Sequence, residues 1–180
     1  IFKITFQKKA ASTNEIAEIL EAKASSVTDM VKKLSKKGLI NYKKYYGVTL
    51  TEKGKSTAIL IIRKHRLWET FLHDKLNFTW DEVHNMAEEL EHIDSNELID
   101  RLERFLDNPK FDPHGDPIPD KNGVIERRDQ IQLTELKVGQ KGYVTGVKDS
   151  SKEFLQYLDN QNIELGNELL VKDIFDYDKS

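Results

Sequence analysis

No cysteine occurs among the 180 residues, which excludes disulfide bonds and thiolate metal ligands. No apolar run approaches the roughly 20 residues that a membrane-spanning helix needs, and no signal-peptide pattern opens the chain. A soluble cytoplasmic protein without a membrane partner is the expectation. Nucleophilic triads, phosphate-binding glycine loops and zinc-protease helices have no counterpart here. Proline is almost absent: all four, Pro109, Pro113, Pro117 and Pro119, lie in "NPKFDPHGDPIP", which cannot continue a helix. With the polar "DKNG" after it, that stretch marks the main boundary. The opening "IFKITF" reads as the middle of an amphipathic helix, so the sequence is expected to begin inside a longer natural chain.

The net charge of −3 conceals an asymmetry. Residues 1–66 hold 15 Lys and Arg against 5 Asp and Glu, and residues 67–180 hold 13 against 26. A basic first third on an acidic remainder is the electrostatic footprint of nucleic-acid binding confined to one module. A solvated lysine-rich surface is the plainer explanation of charge alone.

Within the basic part, "STNEIAEIL" carries a helix start, Ser12 followed by Glu15, and is expected to bury Ile16, Ala17, Ile19 and Leu20. After the break "EAKA", a second helix starts at Ser25, buries Val27, Met30, Val31 and Leu34, and stops at Gly38. Two short helices with a tight connection form a helix-turn-helix, whose second helix enters the major groove of double-stranded DNA. Ser25, Ser26, Thr28 and Asp29 would approach the bases, with Lys32, Lys33, Lys36 and Lys37 available for phosphates. "LINYKKYYGVTLTEKG" then reads as two strands around a basic aromatic hairpin, a wing that presents Lys43, Lys44 and Tyr46. A generic helical hairpin with exposed lysines lacks that complete order.

A long helix from Ser56 to Leu76 carries His65 and Glu69 four residues apart, on one stripe. In "DEVHNMAEELEH", His84, Glu88, Glu91 and His92 fall within an arc of roughly 100°, and Val83, Met86, Ala87 and Leu90 form a separate core face. If the two helices pack antiparallel, six imidazoles and carboxylates converge, enough for one or two ions. Such donors without thiolate suit Mn(II), Fe(II) or Zn(II). His73 continues the first stripe without an evident partner. Beyond the prolines, "IQLTELKVGQKGYVTGV" alternates short apolar segments with glycines as small β-barrels do, followed by a helix, "SKEFLQYLDNQ", and a strand, "ELLVKDIF".

Together, "SSVTDMVKKLSKKGLINYKKYYGVTLTEKG", "KHRLWETFL", "DEVHNMAEELEHIDSNELIDRL" and "DPHGDPIP" resemble the diphtheria-toxin-repressor family of metal-dependent transcriptional regulators, in order and over nearly the whole chain. The resemblance implies a mainly α fold with small β elements. Its parts are an N-terminal winged helix-turn-helix (1–58), a helical metal-binding and dimerisation domain (59–119), a linker (120–130) and a C-terminal SH3-like β-barrel (131–180). It implies a homodimer that binds Mn(II) or Fe(II) and represses metal-uptake genes at palindromic operators. Carried over by position, Glu88, Glu91 and His92 match primary metal ligands, and His65, Glu69 and His84 match ancillary ones. Asp112 and His114 resemble a secondary site, and Glu153 a ligand position in the C-terminal domain. Three departures stand out. Glu88 replaces a cysteine of the iron-dependent members, which favours Mn(II) as cofactor over Fe(II). The family's first-helix ligand would lie upstream of Ile1. Ser150 stands where one family ligand is acidic, and the chain stops before the last strand expected of that domain. The dimer surface is expected on "NELIDRLERFL", through Leu98, Ile99, Leu102, Phe105 and Leu106.

Two readings from other classes compete. Carboxylate-bridged di-iron enzymes use Glu-x-x-His on helices, as Glu89 to His92 does, but they need two such motifs and four long helices. A winged-helix regulator governed by an organic ligand would leave the acidic and imidazole residues as mere surface.

Overall fold

The computed structural model of the chain describes residues 1–8, 10–43, 46–126 and 128–174, apart from the side chains of Phe6 and Gln7. Contacts gather the chain into two compact units, Ile1–Ile61 and Ile62–Ser180.

In the first unit, helices α1 (Phe2–Gln7), α2 (Thr13–Ile19) and α3 (Ala24–Lys36) precede strands β1 (Ile40–Lys43) and β2 (Gly47–Leu50). The start of α2 is the expected one. Ser12 Oγ accepts from the Glu15 N–H at 3.1 Å while the Glu15 carboxylate accepts from the Ser12 N–H at 2.9 Å, two otherwise orphaned donors satisfied at once. Glu21, at φ +48, turns the chain into α3, which begins one residue before the expected Ser25. Gly38 follows its end in the left-handed region. The two strands pair antiparallel, from Ile40 opposite Leu50 to Lys43 opposite Gly47, and Ala11 bridges to Val48. Gly47 lies at φ +95, and a Cβ there would stand 2.7 Å from the Ala11 carbonyl oxygen, so the wing needs glycine at this point.

Ala11, Ile16, Val27, Val31, Ile40 and Val48 form the core of this unit. Ile19 and Leu20 do not join it, contrary to expectation. They are 66% and 53% exposed because α2 ends at Ile19 and already spends its inward face on Ile16. Both instead line an open apolar groove of about 330 Å³ with Ile1, Met30 and Ile61.

Helix α4 (Glu52–Leu76) starts four residues before the expected Ser56. Thr51 explains the difference: its Oγ1 accepts from the Gly54 N–H at 3.0 Å and donates to the Gly38 carbonyl at 2.7 Å, so capping begins the helix there. In the second unit, α4 continues from Ile62 and is joined by α5 (Val83–Leu90) and α6 (Asn96–Phe105). Leu67, Trp68 and Leu72 pack with Val83 and Ala87 of α5, with Ile99 and Leu102 of α6, and with Leu106 and Ile118. Of the apolar residues expected on a dimer face, Ile99, Leu102 and Leu106 are therefore core. Leu98 and Phe105, a heptad apart on the neighbouring stripe, remain outside at 38% and 61% exposure.

The chain then runs through the loop 107–120 to a 3₁₀ turn (Leu133–Glu135), β3 (Lys141–Tyr143), α7 (Lys152–Asn160) and β4 (Glu168–Leu170). β3 and β4 pair antiparallel, and hydrogen bonds between Gly139 and Val171 and between Val144 and Asn167 prolong the ribbon at both ends. Among the described residues this ribbon does not close into a barrel. Leu155 and Leu158 of α7 cluster with Trp80, which ties the C-terminal segment to the helical part of the same unit. Mainly helical, with two small sheets, the architecture has the expected class. No described helix is long and apolar enough to cross a membrane.

Candidate metal centre

The i,i+4 spacing of His65 and Glu69 brings both side chains to one stripe of α4, and the 3.6-residue period places His84 and Glu88 likewise on α5. Glu69 is the buried hub, 3% exposed. Its Oε1 lies 3.0 Å from His65 Nε2 and 3.3 Å from His84 Nδ1, and those two nitrogens are 3.1 Å apart. The other ring nitrogen of His65 lies 2.8 Å from Glu91 Oε2, and Glu88 Oε1 stands 3.6 Å from His84 Nε2 at the rim. Five of the six helical residues named from sequence are thus brought together.

His92 is not. Helix α5 ends at Leu90, and an Ile93 N–H to Leu90 carbonyl turn takes the chain off the helical path. His92 is exposed there and joins neither donor group found among the described residues. Glu153, in the first turn of α7, is also exposed and joins neither.

The "DPHG" pair is drawn in by the same carboxylate. Asp112 and His114 are buried, and with Glu69 they make a second three-donor group, His114 Nδ1 standing 3.8 Å from Glu69 Oε1. In each group all donor atoms lie within 4.8 Å of one another. Sequence spacing treats Asp112 and His114 as a separate pair, and no local periodicity could have joined them to α4. Sequence reasoning also misses Trp80, whose carbonyl oxygen lies 2.7 Å from His114 Nε2 and whose ring stacks on the imidazole at 6.5 Å between centroids. A carbonyl only accepts, so His114 donates through Nε2–H and Nδ1 is the ring nitrogen that faces Glu69.

Burial alone would push the Glu69 carboxyl up, but hydrogen bonds from His65 and His84 and the nearby imidazole charges hold it down to about 2. Burial likewise opposes charging of His65, and is outweighed by Glu69 and Glu91, which raise its pKa. Asp112 goes the other way: burial, then Glu69 and Asp116, push it up to about 7 against the pull of Arg66. A carboxylate forced towards neutrality beside another carboxylate is a place where added positive charge is favourable. The spacing fits a divalent ion as well. Ligand distances of about 2.0–2.2 Å put neighbouring donors at a right angle about 3 Å apart, the separation seen among His65, Glu69 and His84. The donors are imidazole nitrogen and carboxylate oxygen throughout, a set that suits Mn(II), Fe(II) or Zn(II).

On the first unit, Ser25, Ser26, Asp29, Lys32, Lys33 and Lys36 are exposed along α3. Thr28 is half-buried and donates its hydroxyl to the Ala24 carbonyl at 2.8 Å. In the wing, Lys43 Nζ sits 4.2 Å from the centroid of the exposed Tyr46 ring. Lys44 lies outside the described residues.

Comparison with known proteins finds three families that match successive parts of the chain. Residues 1–48 match the family described as the iron dependent repressor N-terminal DNA binding domain. Residues 51–120 match the iron dependent repressor metal binding and dimerisation domain, and residues 131–177 the FeoA domain. The iron-dependent repressor IdeR of Mycobacterium tuberculosis is 36% identical over 134 residues, 69% of this chain, and the match spans only 57% of that relative's length. The HTH-type transcriptional regulator MntR of Lysinibacillus sphaericus is 38% identical over 102 residues, 57% of this chain and 73% of that one. Among solved structures, a manganese-dependent transcriptional repressor in complex with manganese superposes with a TM-score of 0.81 at 35% identity, covering 96% of this chain and 81% of that one. The manganese regulator SloR gives 0.77 at 33% identity, covering 98% and 84%.

Proposed function

The chain belongs to the iron-dependent, or diphtheria-toxin, repressor family, and from that premise we propose that it is a cytoplasmic metal-dependent transcriptional repressor, not an enzyme, that binds palindromic operator DNA as a homodimer. The effector we propose is Mn(II), with Fe(II) as the alternative. Relatives named for manganese and for iron both resemble the chain. The lean towards manganese rests on its own donors, which offer no thiolate and several carboxylates.

The observation that carries this reading is the convergence of His65, His84, His114 and Asp112 on the buried carboxylate of Glu69. We assign His65, Glu69 and His84 to one ion position, with Glu91 and Glu88 beside it, and Glu69, Asp112 and His114 to a second. His92 and Glu153 are retained as ligands only in a rearranged, metal-loaded state. A bound divalent cation supplies the positive charge that lets these carboxylates and neutral imidazoles stay close. The chain's own residues do the rest. His65 and Glu69 sit on α4, His84 and Glu88 on α5, and Asp112 and His114 on the following loop, so holding the six together fixes α4 against both. α4 is one continuous helix that begins directly after the wing strand β2, and through it the restraint reaches the DNA-binding unit. On that unit Ser25, Ser26, Thr28 and Asp29 would meet base edges, while Lys32, Lys33, Lys36, Lys43, Lys44 and Tyr46 would meet the backbone. In a dimer, two such helices reach successive major grooves about 34 Å apart.

Selection from a randomised duplex library tests the function without knowledge of the operator. A palindromic motif enriched with Mn(II) and lost on chelation is the expected result. Enrichment that ignores chelation would contradict metal control and favour a regulator governed by an organic ligand.

A further inference from the structure

Four consecutive residues of α4, Arg63 to Arg66, each tie that helix to a different partner. Arg63 donates to Asp100 and Glu103 of α6, Lys64 to the Ile93 carbonyl, and His65 belongs to the donor cluster. Arg66 reaches the loop that carries Asp112 and His114. Its Nη2 donates to Asp116 Oδ2 at 2.7 Å, its Nε stands 3.4 Å from Asp112 Oδ2, and its Nη1 donates to the Pro117 carbonyl. All three partners lie on one short segment, and the Arg66 side chain is nearly buried.

We propose that Arg66 is the positioning residue of the second donor group: its guanidinium clamps the 112–117 loop to α4 so that Asp112 and His114 face Glu69. What ions do at that group rests on the metal-regulator reading, but the clamp itself does not. Three observations support it. Inside the loop, Asp112 Oδ1 is committed to the N–H groups of His114 and Asp116, both at 2.9 Å, which leaves Oδ2 as the oxygen on the Arg66 side. From the far side, the His114 carbonyl accepts from the Val147 N–H at 3.0 Å, and Gly115 packs so closely on Thr145 that a Cβ would stand 2.1 Å from its carbonyl oxygen. The loop is therefore gripped from two sides, and Arg66 is its grip on α4. Finally, Glu69, Asp112 and Asp116 put three carboxylates in one neighbourhood. The imidazoles there can lose their protons, whereas a guanidinium keeps its charge. A planar fork also spans two carboxylates and a carbonyl, which neither a lysine nor a glutamine can do.

The test compares wild type, Arg66→Gln and His114→Ala in two readouts. In the metal-free chain, amide hydrogen exchange at Gly115, Asp116 and Ile118 should quicken at least about tenfold in Arg66→Gln, while the amides of α7 and α5 keep their protection. In Mn(II) titrations, Arg66→Gln should lose about 10–100-fold in affinity for the ion that His114→Ala also loses, with the other ion unaffected. Unchanged loop exchange overturns the proposal whatever the metal result, and faster exchange with wild-type Mn(II) binding overturns the positioning role. A wild type that takes up no Mn(II) refutes the regulator reading, and the exchange comparison still decides the clamp. Should Arg66→Gln not fold, Asp116→Ala, which removes a half-exposed acceptor of the Arg66 fork, reads the same clamp by the same exchange.

Discussion

Glu69 Oε1 and His114 Nδ1 stand 3.8 Å apart, joining a buried carboxylate in the middle of α4 to an imidazole in the loop beyond α6. Glu69 is thereby the one residue common to both donor groups. Glu69→Gln keeps the shape and removes the charge, so it should weaken Mn(II) binding at both positions by at least about 100-fold, since outer partners of a metal ligand alone are worth about 10–100-fold. Equilibrium dialysis against Mn(II) measures this. Two retained equivalents at wild-type affinity would remove Glu69 from the centre. Anomalous diffraction from crystals grown with Mn(II) gives the complementary view, with ions expected against Glu69 and not against Glu153 alone.

Proton competition follows from His65. Its pKa lies above the ordinary 6.5 because Glu69 and Glu91 outweigh burial. A group raised on folding contributes stability that is complete below the unfolded pKa and is lost as pH rises through the folded one. The metal-free chain should therefore lose melting temperature as pH climbs above the ordinary 6.5, with the slope reduced in His65→Gln. Metal ligation needs the deprotonated ring, so Mn(II) affinity should rise over the same interval and binding should release protons. Calorimetry in buffers of different ionisation enthalpy counts them. Affinity that is flat in pH would contradict ligation by His65.

Much of this was legible in the sequence, and the losses have physical causes. Ser12 and Glu15 announced the start of α2 because a capping box is a local interaction between residues three apart. His65 with Glu69, and His84 with Glu88, were equally local. Ile19 and Leu20 misled because apolar character does not say which face has a partner, and theirs opens onto a groove. His92 stands apart from the cluster because α5 ends two residues before it, so helical phase does not place it. The link from Glu69 to Asp112 and His114, and the Arg66 contacts behind it, depend on where a loop returns in space, which no periodicity encodes.

On α6, inner and outer stripes should respond differently. Phe105→Ser and Leu98→Ser, on the exposed stripe, should shift the protein from dimer to monomer in sedimentation with little change in the monomer's own stability. Ile99→Ala, fully buried, should instead cost about 2–5 kcal/mol of folding stability. If the exposed-stripe variants remain dimeric, the self-association surface lies elsewhere.

Lys32→Ala and Lys33→Ala remove exposed charges from α3 without touching the Val27 and Val31 core. Each should weaken binding to all duplex sequences alike and reduce the slope of log affinity against log salt by about 1. A change confined to one sequence would make these lysines base readers.

Duplex binding followed by fluorescence anisotropy at fixed ionic strength, with and without Mn(II), for wild type and Glu69→Gln, addresses the coupling itself. The account predicts roughly 5–150-fold tighter binding by wild type when Mn(II) is present, the range of a coupling of about 1–3 kcal/mol, and no response in Glu69→Gln. Equal wild-type affinity in both conditions, or a full Mn(II) response in Glu69→Gln, would contradict it.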